Sequence, residues 1–204
     1  MEIIKTFLKK SVLICEICGF KIDSPLKVTN RPNIPECAMI LRKETVNDIQ
    51  AITEVTMAAF ENHPISRQTE HFIIHALRKA NALTLSLVAE RDGRVVGHIA
   101  FSPVTLSDGT KGWYGLGPIS VLPEHQKQGI GKALVNKGLS LLKELDAQGC
   151  ALVGDPNYYQ QFGFRNYAEL IHEGIPQEVF VILPFNEKVP QGTIQFHKAF
   201  SATE

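Results

Sequence analysis

The chain has 204 residues, 44% of them hydrophobic and 21% charged, the balance of a folded domain rather than of a disordered or fibrous chain. Lys and Arg total 21 and Asp and Glu total 21, so no global field draws it to nucleic acid or to an anionic membrane. No eighteen-residue apolar run occurs, which excludes a helical membrane span.

Residues 1–38 differ in character from the rest of the chain. Lys9 and Lys10 precede the apolar run Ser11 to Cys15 in the manner of a secretory leader, but Glu16 breaks the run and no small-residue cleavage site comes after it. Cys15 and Cys18 form half of a zinc knuckle; no second CxxC or paired histidine spacing completes it, so no metal is expected. Asn30 to Glu36, with Pro32 and Pro35, supports neither helix nor sheet. Residues 1–38 therefore read as an extension, either a linker-joined appendage or the product of an upstream start, and residues 39–204 as one domain.

From Met39 the pattern is regular. Ile40 to Arg42 reads as a strand. Thr45 and Asp48 read as the capping box of a helix that carries Ile49, Ile52, Val55, Ala59 and Phe60. Glu61 to Pro64 ends it. A second helix, over about 66–80, turns Phe72, Ile73, Ala76, Leu77 and Ala80 inward. Leu83 to Glu90 and Val95 to Pro103 form a hairpin around Asp92-Gly93. Ser107 to Thr110 turns the chain into a buried strand ending at Val121. A helix then runs from Ile130 to about Gln148 with Ile130, Leu134, Leu141 and Leu145 on one face. A strand at Cys150–Val153, a short helical piece at Asn157–Gln161 and strands at Val179–Leu183 and Gly192–Phe196 complete the pattern. This order makes a mixed α/β sheet, not a chain of βαβ repeats.

The stretch between Val121 and Ile130 carries the chemistry. It contains Gln126-Lys127-Gln128-Gly129-Ile130-Gly131-Lys132. Glycines let the backbone approach a ligand closely, and the first helical turn offers amides with no intrahelical acceptor beside a positive dipole end. That is a seat for a pyrophosphate. A P-loop is excluded because no GxxxxGK[ST] occurs, and a dinucleotide fingerprint because Leu134 stands where its third glycine is required. Upstream, Pro118 has no N–H and should interrupt the strand ladder. Backbone groups of Ile119 and Val121 would then be free for an amide-rich ligand.

The motif Gln126-x-x-Gly129-x-Gly131 resembles the [QR]-x-x-G-x-[GA] pyrophosphate loop of the GNAT superfamily of acyl-CoA-dependent N-acetyltransferases. Tyr159, four residues before Gly163-Phe164, matches a second motif of that superfamily. Longer strings, such as Val96 to Val104, Leu116 to Pro123 and Gly154 to Tyr159, look like its YhbS-type branch, which lacks the first 38 residues. The resemblance spans residues 40–200. It implies a mostly antiparallel central sheet of six to seven strands flanked by helices. It further implies acetyl-CoA as donor co-substrate, with pantetheine paired along Ile119, Ser120 and Val121 and the pyrophosphate on Gln126, Lys127, Gln128, Gly129, Ile130, Gly131 and Lys132. Asn157 and Tyr158 would lie beside the cofactor arm, and Tyr159 would be the general acid. A small-molecule or peptide amine is the expected acceptor, with no nucleic acid, membrane or metal involved and a cytoplasmic location. A homodimer stays open.

Acetyl transfer to an amine needs a neutral nucleophile, an oxyanion donor and a proton for the departing thiolate. A tyrosine of pKa ~10 can protonate a nascent thiolate whose thiol has pKa ~8.5. An alkyl ammonium of pKa ~10.4 must first lose a proton. Glu61, His63 and His98 are candidates for that step, as is a water chain, and none is singled out. Cys150 opens an apolar run and reads as a buried small hydrophobe, so direct attack is expected rather than an acetyl-cysteine intermediate. Two other readings remain: an acyl-CoA-binding sensor without turnover on the same fold, and a partner-binding scaffold using the CxxC extension.

Overall fold

The capping box forms as its residues require. The Asp48 carboxylate accepts from the Thr45 amide at 2.6 Å and the Thr45 hydroxyl at 2.8 Å. It thereby fixes the passage from strand β1 (Ile40–Lys43) into helix α1 (Ile49–Phe60). The computed structural model describes residues 39–62, 66–186 and 188–204. The CxxC pair and His63 lie outside the described residues.

Helix α2 spans Glu70–Lys79, shorter than the sequence pattern implied. Its start is delayed because the Ser66 hydroxyl accepts from the Gln68 amide at 2.8 Å, and Gln68 takes φ 59. Its inward residues are Glu70, Ile73, Ile74 and Leu77, not Phe72, Ala76 and Ala80. The stripe is set by Glu70, whose carboxylate is buried because it accepts from the Ser66 hydroxyl at 2.6 Å.

The hairpin of β2 (Leu85–Arg91) and β3 (Arg94–Pro103) closes on Asp92 and Gly93, with φ 56 and 73, the mirror-image turn that suits right-twisted strands. β5 (Trp113–Val121) pairs with the far side of β3, and helix α3 (Ile130–Glu144) comes after it. The buried line on α3 is Ile130, Leu134, Gly138 and Leu142, with Val135 and Leu139 beside it. Leu141 and Leu145 do not share it, and Leu145 is 51% exposed. Gly138 decides this rotation. A Cβ there would overlap the Phe101 ring, so the helix turns its glycine onto β3. The helix stops before Gln148 because Asp146 takes φ 57 and the Ala147 amide bonds back to the Leu142 carbonyl at 3.1 Å.

After α3 come β6 (Gly149–Val153), the one-turn helix α4 (Pro156–Tyr159) and β8 (Phe180–Pro184). The main sheet has the order β1-β2-β3-β5-β6-β8, antiparallel except for β5 against β6. This is the mixed sheet the element order implies, and the mostly antiparallel one the family resemblance implies. A small second sheet joins β4 (Thr105–Leu106), β9 (Gly192–Gln195) and β7 (Leu170–Ile171). β4 and β7, at two residues each, are too short to show periodicity in a sequence. Helix α1 covers one face of the sheet. α3 covers the other, where a Cβ on Gly97 would meet Ile130 and Leu134 at 3.2 Å. Each fully buried Leu or Ile of this core, such as Leu134 or Ile99, contributes ~1.5–3 kcal/mol. Among the described residues no helix is long and apolar enough to cross a membrane.

Candidate active site

The parallel contact in the sheet is brief. β5 meets β6 only through Trp113, Tyr114 and Gly115, opposite Gly149, Cys150 and Ala151. From Leu116 to Val121 the strand keeps β3 on one side and has no strand partner on the other among the described residues. The register against β3 shifts between Ile99 and Phe101, where Gly117 and Pro118 stand opposite. The Leu122 amide bonds to the Val96 carbonyl at 2.9 Å. Strand alternation then turns the backbone groups of Ser120 toward β3 and those of Ile119 and Val121 toward the open edge. The Val121 carbonyl is the acceptor of the Gln126 side-chain amide at 3.1 Å, so this glutamine ties the loop back to the strand.

The loop is bent by two left-handed residues, Lys127 at φ 60 and Gly129 at φ 83. Gln128 braces it, donating to the Glu124 carbonyl at 3.0 Å and accepting from Arg91 at 2.7 Å. Gly129 caps α3, and a Cβ placed on it would meet nothing within 4 Å. The side of the loop that faces away from the protein is thus open at the helix N-terminus, where the first amides have no intrahelical acceptor. Lys127 and Lys132 are exposed beside it.

The two tyrosines occupy different environments. A Cβ on Gly131 would stand 3.4 Å from the Tyr158 hydroxyl oxygen, 3.9 Å from Val121 Cγ2 and 4.0 Å from Ile119 Cδ1. Strand edge, helix start and the Tyr158 hydroxyl therefore meet at one point. Tyr159 is 0% exposed, packed edge-on against Tyr158 at 4.9 Å and against Phe164 at 5.8 Å between ring centroids. Asn157 is exposed and does not cap α4. Asp155 does so, accepting from the Asn157 amide at 2.9 Å.

The opposite face of the sheet carries a buried polar stripe that the sequence pattern does not show. Ser120 and Thr56 of α1 bond hydroxyl to hydroxyl at 3.2 Å. His98 lies across the ladder from Ser120 and is 0% exposed. Its Nε2 is 2.8 Å from the Ser86 hydroxyl, which donates to Glu44. Arg78 of α2 holds the Glu44 carboxylate through two bonds, at 3.1 and 2.8 Å. Burial pushes His98 down to about 4, against a partial upward pull from Glu44. Burial opposes ionisation of Glu44, but the bonds from Arg78 and Ser86 outweigh it and hold its carboxyl below the usual value. Beyond His98, already a candidate, the sequence signals this network only by a serine at a core strand position, Leu85-Ser86-Leu87. Glu61 is exposed, and Cys150 is fully buried with its thiol pushed far up by that burial.

Comparison with known proteins adds to this geometry. The model of the acetyltransferase (GNAT) family matches residues 49–164. The N-acetyltransferase YhbS of Escherichia coli strain K12, itself described as uncharacterized, is 35% identical over 128 residues, 62% of this chain and 74% of that protein. A GNAT family acetyltransferase from Brucella melitensis, solved in complex with acetyl-CoA, is 48% identical with a TM-score of 0.72, over 81% of this chain and 99% of its own. YhbS from Escherichia coli, solved in complex with CoA, is 30% identical with a TM-score of 0.75, over 83% of this chain and 96% of its own.

Proposed function

The chain belongs to the GNAT acetyltransferase family, and on that premise we propose that it moves the acetyl group of acetyl-CoA onto a primary amine. The acceptor is a small molecule or a peptide, and attack is direct, within a ternary complex in the cytoplasm. One observation carries this reading: the edge of β5 from Leu116 to Val121, without a second strand among the described residues, beside the N-terminus of α3. Relatives were solved in complex with acetyl-CoA and with CoA.

The residues divide the work. The Ile119 and Val121 backbone groups pair with the amides of the pantetheine arm, as an added strand would. The amides from Gln128 to Lys132, with the helix dipole behind them, hold the pyrophosphate, and Lys127 and Lys132 add charge. The Tyr158 hydroxyl and Asn157 border the arm. Tyr159 is the proton donor to the departing thiolate, and its burial keeps water from competing for that transfer. Cys150 takes no part, since a buried thiol held so far above neutrality is no nucleophile.

Initial rates over a grid of acetyl-CoA and amine concentrations test this reading. Intersecting double-reciprocal lines are expected. Parallel lines would mean an acyl-enzyme. No acetylated product across alkyl amines, arylalkyl amines, polyamines and peptide N-termini would overturn the amine assignment.

A further inference from the structure

We propose that His172 is the general base of the transfer, its Nε2 taking the proton that the acceptor nitrogen loses as it bonds to the acyl carbon. The inference rests on the amine-transfer reading above and gives that reading the base it lacks.

Sheet geometry places the ring. β5 leaves β6 after Gly115 and Ala151, while β6 runs on along β8 to Val153, which pairs with Phe180. A wedge opens between β5 and β6, and its β5 side is the free edge that begins at Leu116. Leu116 stands opposite Phe101, whose ring meets Gly138 of α3, so Leu116 faces α3 and Gly115 faces the other way. On that other face a Cβ on Gly115 would come 2.7 Å from the Phe196 ring. Phe180 shares the face: it is buried with Trp113, two residues before Gly115, and Phe196 packs against the same cluster. The His172 ring stacks on Phe196, 5.2 Å between centroids and 29° between planes, and meets Phe180 edge-on at 5.9 Å. One imidazole thus bridges a ring seated on β5 and a ring of the strand beside β6. The donor seat lies on the α3 side, where Gly131, Ile119 and Tyr158 meet, so the amine arrives from the face where His172 stands.

A single hydrogen bond fixes the tautomer. Nδ1 lies 3.1 Å from the Glu173 carbonyl oxygen, which only accepts, so Nδ1 carries the hydrogen. Nε2 keeps a lone pair, and no donor among the described residues bonds to it. The residue is half-buried, so the ring keeps contact with solvent. Burial holds its pKa below the ordinary value, against a smaller upward pull from the Glu173 carbonyl, and the ring is neutral at pH 7. The charge that acts on it is the exposed Glu173 carboxylate; Phe180 of β8 and Phe196, after β9, are uncharged. His98, enclosed in the core and bonded to Ser86, presents no nitrogen to a substrate.

A free alkyl ammonium, of pKa ~10.4, is too weak an acid for this ring, so the amine enters unprotonated. Its lone pair forms the bond to the acyl carbon, and the nitrogen, now positive, becomes far more acidic. An N–H breaks with its electron pair left on nitrogen, and the proton passes to His172 Nε2, directly or through one water. The C–S bond breaks with its pair on sulfur, which takes the Tyr159 proton. His172 gives its proton to solvent, and Tyr159 regains one from water. One amide and one thiol form, with no net proton taken up or released.

The test uses the full chain and an amine that the wild type acetylates. Below the pKa of the ring, log(kcat/KM) for the amine should rise with a slope of about 2 in pH, because ring and amine must both be unprotonated; above it the slope should be about 1. His172→Ala should lower kcat ~10²-fold at pH 7 and show a slope of about 1 throughout. It should keep the acetyl-CoA thermal shift and regain rate when imidazole is added. Should His172→Ala fail to fold, His172→Gln reads the same change of slope. Nitrogen NMR of the resting wild type, which needs no turnover, should find the hydrogen on Nδ1 and protonation only below pH ~6.5. A folded His172→Ala enzyme of full activity overturns the assignment. So does the steeper slope kept in either variant, a loss that imidazole does not relieve, or a resting ring with its hydrogen on Nε2. A wild type that acetylates no amine brings down the transfer reading instead, and this inference with it.

Discussion

Gly129→Val is the sharpest perturbation of the donor site, because its two effects separate. Gly129 sits at φ 83 with nothing within 4 Å of a built Cβ. The side chain would strike no protein atom, so the folding penalty is conformational, about 1–2 kcal/mol or somewhat more for a β-branched residue. At ~2–4 °C per kcal/mol for a chain this size, the melting temperature falls by roughly 2–8 °C. A domain with ~5–15 kcal/mol in hand stays folded. The same side chain stands where a pyrophosphate must approach the α3 amides. At a ligand concentration of about 100 Kd, acetyl-CoA stabilises the wild type by ~2.7 kcal/mol, about 5–11 °C; the variant should show no shift. Gly131→Ala is the matched control. Its Cβ meets the Tyr158 hydroxyl only at ordinary contact distance, 3.4 Å. Alanine is favoured over glycine inside a helix by ~0.5–1 kcal/mol, and the loop pattern admits it. Its melting temperature should rise slightly with the ligand shift kept. Differential scanning fluorimetry with and without acetyl-CoA reads all three proteins. A folded Gly129→Val protein with the wild-type shift would refute the placement of the pyrophosphate.

Three further outcomes are expected. Tyr159→Phe should lower kcat by ~10²–10⁴ with acetyl-CoA affinity kept, while Tyr158→Phe changes affinity more than kcat; equal kcat in both variants would mean another group protonates the thiolate. Gly138→Ala should destabilise by ~1–3 kcal/mol in denaturant titration despite better helix propensity, because the new methyl overlaps Phe101; a stabilised variant would contradict that packing. Stability should fall on acidification in two windows. His98, buried neutral, is ordinarily near 6.5 when unfolded and about 4 when folded, so the unfolded chain binds the extra proton and stability drops by up to ~1.4 kcal/mol per pH unit between those values. Below about pH 4, Asp48 adds to the loss, because its bonds from Arg42 and Thr45 hold its folded carboxyl well below the unfolded value of ~3.9. His98→Gln should remove the first window and leave the second.

What was legible in the sequence was local. The capping box at Thr45, the Asp92-Gly93 turn and the loop from Gln126 to Lys132 each signal through neighbours in the chain, and each stands where the pattern puts it. Helix rotations were legible only in part. The inward face of α3 depends on Gly138 meeting Phe101, and that of α2 on Ser66 satisfying Glu70; neither partner is visible in a hydrophobic period. The widest gap concerned His98, which the sequence offers only as one of several unranked candidates for the deprotonation. Its place in a buried chain from Arg78 to Ser86 comes from the register of β2 on β3 and from the packing of α2. The likeness of Tyr158 and Tyr159 as adjacent aromatics likewise hid that one hydroxyl reaches Gly131 while the other ring is wholly enclosed.

Acetyl transfer to an amine, from a donor seated on the β5 edge, is decided by counting both products of one reaction. Free CoA thiol and acetylated amine should appear in equal amounts, with little thiol released when the amine is left out. Tight acetyl-CoA binding with no thiol release for any amine would make the chain a sensor on this fold, and thiol release indifferent to the amine would make it a hydrolase; either result contradicts the transfer reading.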